Sequence, residues 1–267
     1  MNPVFGRIMM ADAYQRILSW VKGLGRLGLF TWEVIQSLVG ERLAGRIFLQ
    51  QLYLIGVRSQ TVVLVTGAFT GMVLTAQTYF QFHKVRIDTG SLAVVGISMC
   101  SELGPVLTGL MVAGRVGAAL AAELGTMRVT EQLDALRTLA THPVDYLVVP
   151  RVLGTIVAMP ILTAESMAIG IGAGYAVGAW FLDIDPTYSW HNMVRYTTVN
   201  DVLMGTIKAI IYGAMIGVIC CYKGMHCGEG AEGVGRAATE AVVRSSITIL
   251  ISNFFLTLAI NRILGDE

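Results

Sequence analysis

The sequence contains few charged residues for its length. They make up 14% of the 267 residues, whereas soluble domains carry about 25%, so a water-facing shell for a globular chain of this size would be short of ions. The net charge is only +1, and nucleic-acid binding needs a basic stripe that neutralises several phosphates. These two deficits exclude a nucleic-acid-binding function and argue strongly against a soluble protein.

Signatures of nucleotide sites and hydrolases are also missing. The sequence has no GxxxxGK[ST] loop, no GxSxG elbow and no HExxH motif, so any use of ATP would require a separate chain. A GxGxxG match occurs at 228–233, but no buried strand precedes it and its two glutamates would repel a pyrophosphate. The four cysteines form neither a disulfide framework nor the CxxC spacing of a metal site.

Long apolar stretches dominate the chain instead. Hydrophobic residues make up 54% of it, and they collect in five stretches of the length that a spanning helix needs, roughly 20 residues for a hydrocarbon core about 30 Å thick. The sequence therefore predicts an all-α integral membrane protein with about five transmembrane helices. The stretches are 59–82, 89–122, 152–182, 202–222 and 245–261.

The N-terminal region has a different composition. Residues 14–52 mix large apolar side chains with lysine, arginine and glutamate, which is typical of a helix that lies in the membrane surface without crossing it. We therefore divide the chain into an N-terminal cytoplasmic and interfacial region, residues 1–52, and a transmembrane region, residues 53–267.

The distribution of lysine and arginine predicts the orientation in the membrane. Most of these residues fall in 1–58, 115–151 and 223–244, and basic residues concentrate on the cytoplasmic side of a membrane protein. The N-terminus and the loop within 115–151 are therefore expected in the cytoplasm. Five spans place the C-terminus on the opposite side.

Glycines recur at four-residue spacing inside three of the apolar stretches. This spacing places them on one face of each helix, where the absence of a side chain lets the backbone of a neighbouring helix approach closely. We interpret the pattern as a signal for helix assembly. The residues are Gly67 and Gly71, then Gly170, Gly174 and Gly178, then Gly213 and Gly217.

Glu102 is the most informative single residue. It lies about 20 Å along its predicted helix, at a depth where an ionised carboxylate costs several kcal/mol unless it faces protein or water. Pro105 follows closely and predicts a kink. Two interpretations stay open: Glu102 faces a polar cavity, or it pairs with a basic residue inside the bundle, with Arg115 the nearest in sequence. Glu165 lies at a similar depth, and both interpretations stay open for it as well.

A short amphipathic segment lies in the predicted cytoplasmic loop. Thr130 can cap a helix that runs from Glu131 to about Leu139, with Leu133 on its apolar face and Asp134 on its charged face. A short amphipathic helix between two spans is suited to docking. The residues leave open whether it docks on the chain's own bundle or on a cytoplasmic partner.

Five motifs occur in a fixed order along the chain: SELGP at 101–105, AGRVG at 113–117, AELGTMRVTEQL at 122–133, HPVDYLVVPR at 142–151 and GAEGVGRA at 230–237. With them the sequence resembles the MlaE family, the permease subunits of bacterial ABC transporters for lipids that work with MCE proteins. The resemblance spans about residues 50 to 250, and the first 45 residues match only loosely.

The resemblance implies a homodimeric permease without enzymatic activity in the inner membrane of a Gram-negative bacterium. The implied partners are two copies of a cytoplasmic ATPase (MlaF), a STAS-domain protein (MlaB) and a periplasmic hexamer of an MCE protein (MlaD). ATP and magnesium would be bound by the ATPase, so no cofactor is expected in this chain. The implied function is to move phospholipids between the inner and outer membranes and thereby to maintain lipid asymmetry.

The resemblance also implies two sites. A lipid cavity, open to the periplasm at the dimer interface, is lined by the first span and the start of the second. A coupling helix around Glu131 fits into a groove on the ATPase. The implied lipid-binding residues are Leu74, Gln77, Tyr79, Phe82, Glu102 and Leu103, and the implied coupling residues are Thr130, Glu131, Gln132, Leu133 and Asp134.

Two features qualify the implied lipid site. Members of the family carry arginine where this chain has Ser101, which puts an arginine contact to the lipid phosphate in question. A carboxylate repels a phosphate, so Glu102 is expected to accept hydrogen bonds from an amine or glycerol group, to pair with a basic residue, or to be protonated.

Two other classes of protein compete with a permease. One is a membrane-embedded lipid-modifying enzyme, such as an acyl transferase with Glu102 as its base, but the sequence shows no His-Asp or Ser-His constellation to support it. The other is a channel, and a single isolated acid supplies no ring of filter residues unless the oligomer is larger than a dimer.

Overall fold

The computed structural model describes residues 22–38, 45–84 and 90–264, and the regular elements within them are all helical. Five helices are long and apolar enough to cross a membrane, which confirms the predicted fold class. In chain order the helices are α1 (22–38), α2 (Gly45–His83), α3 (Ser91–Val129), α4 (Gln132–Thr138), α5 (Val144–Phe181), α6 (Pro186–Tyr196), α7 (Val199–Met225) and α8 (Gly230–Ile263).

The spanning helices are longer than the apolar stretches that predicted them. Helix α2 begins at Gly45, so its first turns come from the region predicted to be interfacial. Helix α1 covers the central part of that region, while residues 1–21 and 39–44 lie outside the described residues. About 20 residues suffice to cross the hydrocarbon core, and these helices, of 27–39 residues, are longer than a crossing requires.

Helix α6 connects two spans and was not foreseen from the sequence. The Asp185 side chain caps its start by accepting hydrogen bonds from the backbone N–H groups of Thr187, at 2.9 Å, and Tyr188, at 3.2 Å. Pro186 occupies the first turn, where its fixed φ and missing N–H are tolerated. Together, the aspartate and the proline form a local start signal for a helix.

Glycines hold α5 close to two of its neighbours. A Cβ atom added to Gly71 on α2 would lie 1.9 Å from the carbonyl oxygen of Gly170 on α5. A Cβ atom added to Gly213 on α7 would lie 2.7 Å from the carbonyl oxygen of Thr155, also on α5. The glycine spacing therefore marks real helix contacts, in which backbone packs directly against backbone.

A hydrophobic cluster closes one end of the bundle. It joins Phe30 of α1, Leu124 of α3, Leu133 of α4, Val148 of α5 and Met225 of α7, all buried. We call this end of the bundle the α4 end. Its apolar packing gives α1 and α4 defined positions against the spanning helices.

Candidate functional site

Lys208 on α7 is fully buried and points its ammonium group at α3. Its Nζ donates hydrogen bonds to Glu102 Oε1 at 2.7 Å, to the Ser101 carbonyl oxygen at 3.0 Å and to Thr257 Oγ1 at 2.8 Å. An ammonium group has three donors, and each has an acceptor here. Because the carboxylate also balances its charge, the buried lysine avoids the large cost of an unpaired ion.

Glu102 is held from the opposite side by α8. Its Oε1 accepts a hydrogen bond from Thr257 Oγ1 at 2.8 Å, and its Oε2 accepts one from Asn253 Nδ2 at 3.0 Å. Tyr212 of α7 donates its hydroxyl to Asn253 Oδ1 at 2.7 Å. We call these five residues, Glu102, Lys208, Tyr212, Asn253 and Thr257, the polar cluster, and it ties α3, α7 and α8 together.

Local sequence explains why α3 can receive the lysine. Pro105 has no N–H group to bond the carbonyl of Ser101, the residue four positions before it. The preceding turn, Met99–Leu103, widens into a π-helix, in which the Gly104 N–H bonds the Met99 carbonyl. The irregularity predicted at Pro105 therefore takes the form of a widened turn, and the Ser101 carbonyl accepts from Lys208 instead.

The structure decides between the two interpretations of Glu102. The carboxylate is paired inside the bundle, although 33% of its side chain remains exposed. The partner is not Arg115, the nearest basic residue in the sequence, since Arg115 Nη1 donates to Ser59 Oγ at 2.7 Å. Arg115 lies about 20 Å further along α3. The missed signal was Lys208 itself, a charged residue inside an apolar stretch that had to find a partner.

Glu165 on α5 also has a partner. Its Oε1 accepts a hydrogen bond from Gln60 Nε2 of α2 at 3.0 Å, whereas its Oε2 is buried without a partner among the described residues. The second deep carboxylate therefore belongs to the contact between α2 and α5 rather than to the polar cluster.

The other predicted lipid-binding residues lie near one end of the bundle. Leu74 and Glu102 are at similar depth, since each is about 15 Å from the helix end at which α2 finishes and α3 begins. The remaining predicted residues of α2 lie closer to that end. Leu74, Tyr79 and Phe82 of α2 and Leu103 of α3 are half-buried, and Gln77 of α2 is exposed.

The predicted coupling helix exists, but its start differs from the prediction. Helix α4 runs from Gln132 to Thr138, and Glu131 precedes it with a left-handed φ of 59°. The expectation that Thr130 caps this helix is wrong. Its hydroxyl donates back to the Thr126 carbonyl at 2.8 Å and so belongs to the end of α3, a local bond that threonine readily forms.

Helix α4 has one face on the bundle and one face in solvent. Leu133 is 4% exposed and packs in the cluster at the α4 end. The side chains of Glu131, Gln132 and Asp134 are exposed, and Asp134 pairs with Arg137 at 3.0 Å. The question of where the helix docks therefore has a partial answer: it docks on its own bundle through Leu133, and a polar, acidic face remains open.

Polar contacts also fix the α4 end. Arg151 of α5 pairs with Glu123 of α3 at 3.3 Å, and His142 lies 3.6 Å from Glu33 of α1. Ser37 of α1 donates a hydrogen bond to Asp145 at the start of α5. These polar contacts add to the apolar ones and hold α1 against the bundle.

These features define a class of protein: a multi-span helical membrane protein with a charged pair locked among its spans and a short helix presented at one end. Glu102 is engaged by three donors, which makes it a poor general base.

The sequence matches the family model "Permease MlaE" over residues 48–259, and the chain belongs to this permease family.

Individual relatives agree with the family model. The chain is 45% identical to a probable ABC transporter permease protein of Rickettsia felis over 243 residues, 91% of this chain and 94% of the relative. It is 33% identical over 244 residues to the intermembrane phospholipid transport system permease protein MlaE of Haemophilus influenzae, again 91% and 94% of the two chains. It is 36% identical to the chloroplastic protein TRIGALACTOSYLDIACYLGLYCEROL 1 of Arabidopsis thaliana over 235 residues, 88% of this chain and 67% of the relative.

Family membership confirms the resemblance seen in the sequence motifs. The protein is a permease subunit of an ABC transporter and is not itself an enzyme. Such a permease works with an ATPase, which a separate chain supplies.

Proposed function

We propose that this permease moves phospholipids between the inner and outer membranes of a Gram-negative bacterium and thereby maintains the lipid asymmetry of the outer membrane. The observation that carries the proposal is the family match over residues 48–259, together with a relative whose name states intermembrane phospholipid transport. The plant relative is named after a diacylglycerol lipid, which agrees with a lipid as the substrate class.

The proposed lipid site lies where α2 ends and α3 begins. Leu74, Phe82 and Leu103 supply apolar wall for acyl chains, and Gln77, Tyr79 and Glu102 supply polar groups. Lys208 balances the charge of Glu102, which removes most of the repulsion that an isolated carboxylate would exert on a phosphate. The exposed part of the carboxylate is then available to an amine or hydroxyl of the head group.

A homodimer is part of the proposal. Among the five spanning helices, α8 and α2 are the least covered by the rest of the chain: 17% and 22% of an 18-residue apolar segment of each is buried, compared with 50% or more in the other three. Leu250, Phe254 and Leu258 form an exposed apolar stripe on α8. A second copy packed on this stripe would place two lipid sites near one interface.

The orientation and the remaining partners follow the family pattern. Arg128, Arg151 and Lys223 lie at the α4 end, which supports a cytoplasmic position for it, with the C-terminus in the periplasm. The acidic face of α4 would then meet an MlaF-like ATPase that binds ATP and magnesium. An MlaB-like STAS protein and a periplasmic MlaD-like hexamer complete the proposed complex.

Reconstitution tests the proposed function. The permease, its ATPase and the MCE protein are placed in vesicles with a fluorescent phospholipid, and transfer to or from the MCE protein is followed with and without ATP. We expect lipid transfer to require ATP. It should be lost when the Walker A lysine of the ATPase is substituted so that ATP is no longer hydrolysed. Chemical turnover of the lipid by the purified permease alone, or transfer that ignores ATP, would overturn the proposal.

A further inference from the structure

A groove lies between α1, α7 and α8, and none of the five residues of the polar cluster lines it. Its volume is about 950 Å³, at the upper end of the range of about 300–1,000 Å³ for small-molecule sites. Its wall is mainly apolar and includes Leu27 of α1, Ile219 of α7, and Ile247, Ile251, Phe255 and Leu256 of α8. None of these residues belongs to the proposed transport site.

The few polar groups in the middle of the wall are engaged within their own helix. Thr248 donates its hydroxyl to the Arg244 carbonyl at 2.8 Å, and Ser252 donates to the Thr248 carbonyl at 2.6 Å. These side chains therefore present mainly carbon to the groove. The wall suits a hydrocarbon chain better than an extended peptide, whose backbone groups would find no partners there.

One end of the groove carries three cations, Arg26 of α1, Lys223 of α7 and Arg244 of α8. Glu240 accounts for part of their charge, since it lies 2.5 Å from Lys223 and 3.6 Å from Arg244. Arg26 is exposed, and its Nε donates weakly to the backbone carbonyl of Lys22 at 3.5 Å. Among the residues that the structure describes here, three cations and one carboxylate leave a positive surplus at this end.

The groove has the dimensions and direction of a lipid in one leaflet. From Arg244 to Ala259 its α8 wall extends about 22 Å, somewhat more than the roughly 15 Å that half of a hydrocarbon core measures. The cationic end coincides with the α4 end, and the apolar wall runs from there into the membrane. Its stripe on α8, which includes Ile247, Ile251 and Phe255, is distinct from the Leu250–Leu258 stripe proposed for the second copy.

We propose that this groove binds an anionic phospholipid of the leaflet at the α4 end, with the head group between Arg26 and Arg244 and an acyl chain along α8. The positive surplus decides the head-group class, because a zwitterionic head group gains little from two arginines whereas an anionic one is attracted by each. The bound lipid would bridge α1 to α7 and α8. It is a resident lipid, separate from the transported one.

The test uses the full-length permease copurified with its ATPase, washed in detergent after exposure to equal amounts of phosphatidylglycerol and phosphatidylcholine. Retained lipid is counted by native mass spectrometry. We expect retained phosphatidylglycerol, and a loss of preference of about fivefold for each removed charge, or about 25-fold in the double variant Arg26→Gln/Arg244→Gln. The matched control Lys22→Gln/Arg262→Gln removes one exposed cation from each of the same helices outside the groove and should keep the preference.

A variant that changes volume and not charge completes the test. Ser252→Trp fills the middle of the groove and should release the lipid while Arg26 and Arg244 remain. Equal loss of lipid in the control double variant, or equal retention of phosphatidylcholine by the wild type, would overturn the proposal. So would efficient disulfide formation between two copies carrying Ser252→Cys, because the groove would then be covered by protein. Transport by the Ser252→Trp variant, measured separately, reports on the proposed function and not on this site.

Discussion

Lys208 and Glu102 form an ion pair of 2.7 Å among three spanning helices, with the ammonium group fully buried and the carboxylate partly exposed. This difference in exposure matters because the buried ammonium group of Lys208 depends on Glu102 for its charge balance. The carboxylate of Glu102, in contrast, is partly exposed outside the bundle. We therefore expect substitutions at the two positions to have different consequences.

Lys208→Met should destabilise the protein by about 3–5 kcal/mol, because removing one partner of a buried pair leaves the other unpaired. The double variant Lys208→Met/Glu102→Gln, which removes both charges, should recover much of that loss. Thermal unfolding in detergent, followed by size-exclusion chromatography, measures both variants. Equal instability of the single and double variants would show that the pair does not behave as a unit.

Glu102→Gln should destabilise the protein, because it leaves the buried Lys208 ammonium group without its counter-charge, but less than Glu102→Lys, since the amide oxygen can still accept a hydrogen bond from Lys208 Nζ. Glu102→Lys should be severe, because it places two ammonium groups side by side in the bundle. Expression level and unfolding temperature of the two variants provide the comparison. A Glu102→Lys protein as stable as Glu102→Gln would contradict the observed pairing.

Gly71→Ala should lower the free energy of unfolding by about 1–3 kcal/mol or more through overpacking. The new methyl group would lie 1.9 Å from the Gly170 carbonyl oxygen. The control is Gly172→Ala on α5, where a Cβ atom meets nothing within 4 Å. Unfolding of the two variants in the same detergent separates close packing from a general effect of losing glycine. Similar behaviour of both would argue against close contact between α2 and α5.

Glu131→Lys should weaken copurification of the ATPase while the permease remains folded, since Glu131 is exposed and a reversed charge at a docking surface costs several kcal/mol where the contact is desolvated. Glu229→Lys, an exposed acid between α7 and α8, is the matched control. Leu133→Asp is less informative, because Leu133 is buried and its loss also loosens α4. Unchanged copurification and ATPase stimulation in Glu131→Lys would remove this face of α4 from the interface.

A photoreactive residue at position 74, 82 or 103 should capture phospholipid in cells more efficiently than one at position 69 or 73. Phe69 and Val73 are 62% and 66% exposed on α2 and report ordinary contact with the bilayer. Mass spectrometry of the crosslinked protein identifies the lipid. Equal capture at all five positions would place the transport cavity elsewhere.

The parts of the structure that depend on local composition could be predicted from the sequence. Five spans follow from apolar length alone, and glycine spacing identified the close contacts of Gly71 and Gly213. For the partner of Glu102, the sequence offered only the lone Lys208 inside an apolar stretch as a signal; the pairing itself depends on how α3 and α7 cross, which no local pattern records. Thr130 failed as a cap because its hydroxyl had a competing acceptor at Thr126.

Helix α6 is an intermediate case. It is short and mostly exposed, so a search for long apolar stretches passes over it. The Asp185–Pro186 pair nevertheless carries a recognisable start signal, and the Asp185 side chain makes the two hydrogen bonds that such a signal predicts.

The glycine contact between α2 and α5 has a consequence for motion. Two helices whose backbones meet at Gly71 and Gly170 cannot slide along each other without forcing atoms into overlap. We therefore expect α2 and α5 to travel as one rigid body during the transport cycle. The polar cluster ties α3, α7 and α8 together in the same way, so relative motion is expected between these two units rather than within either of them.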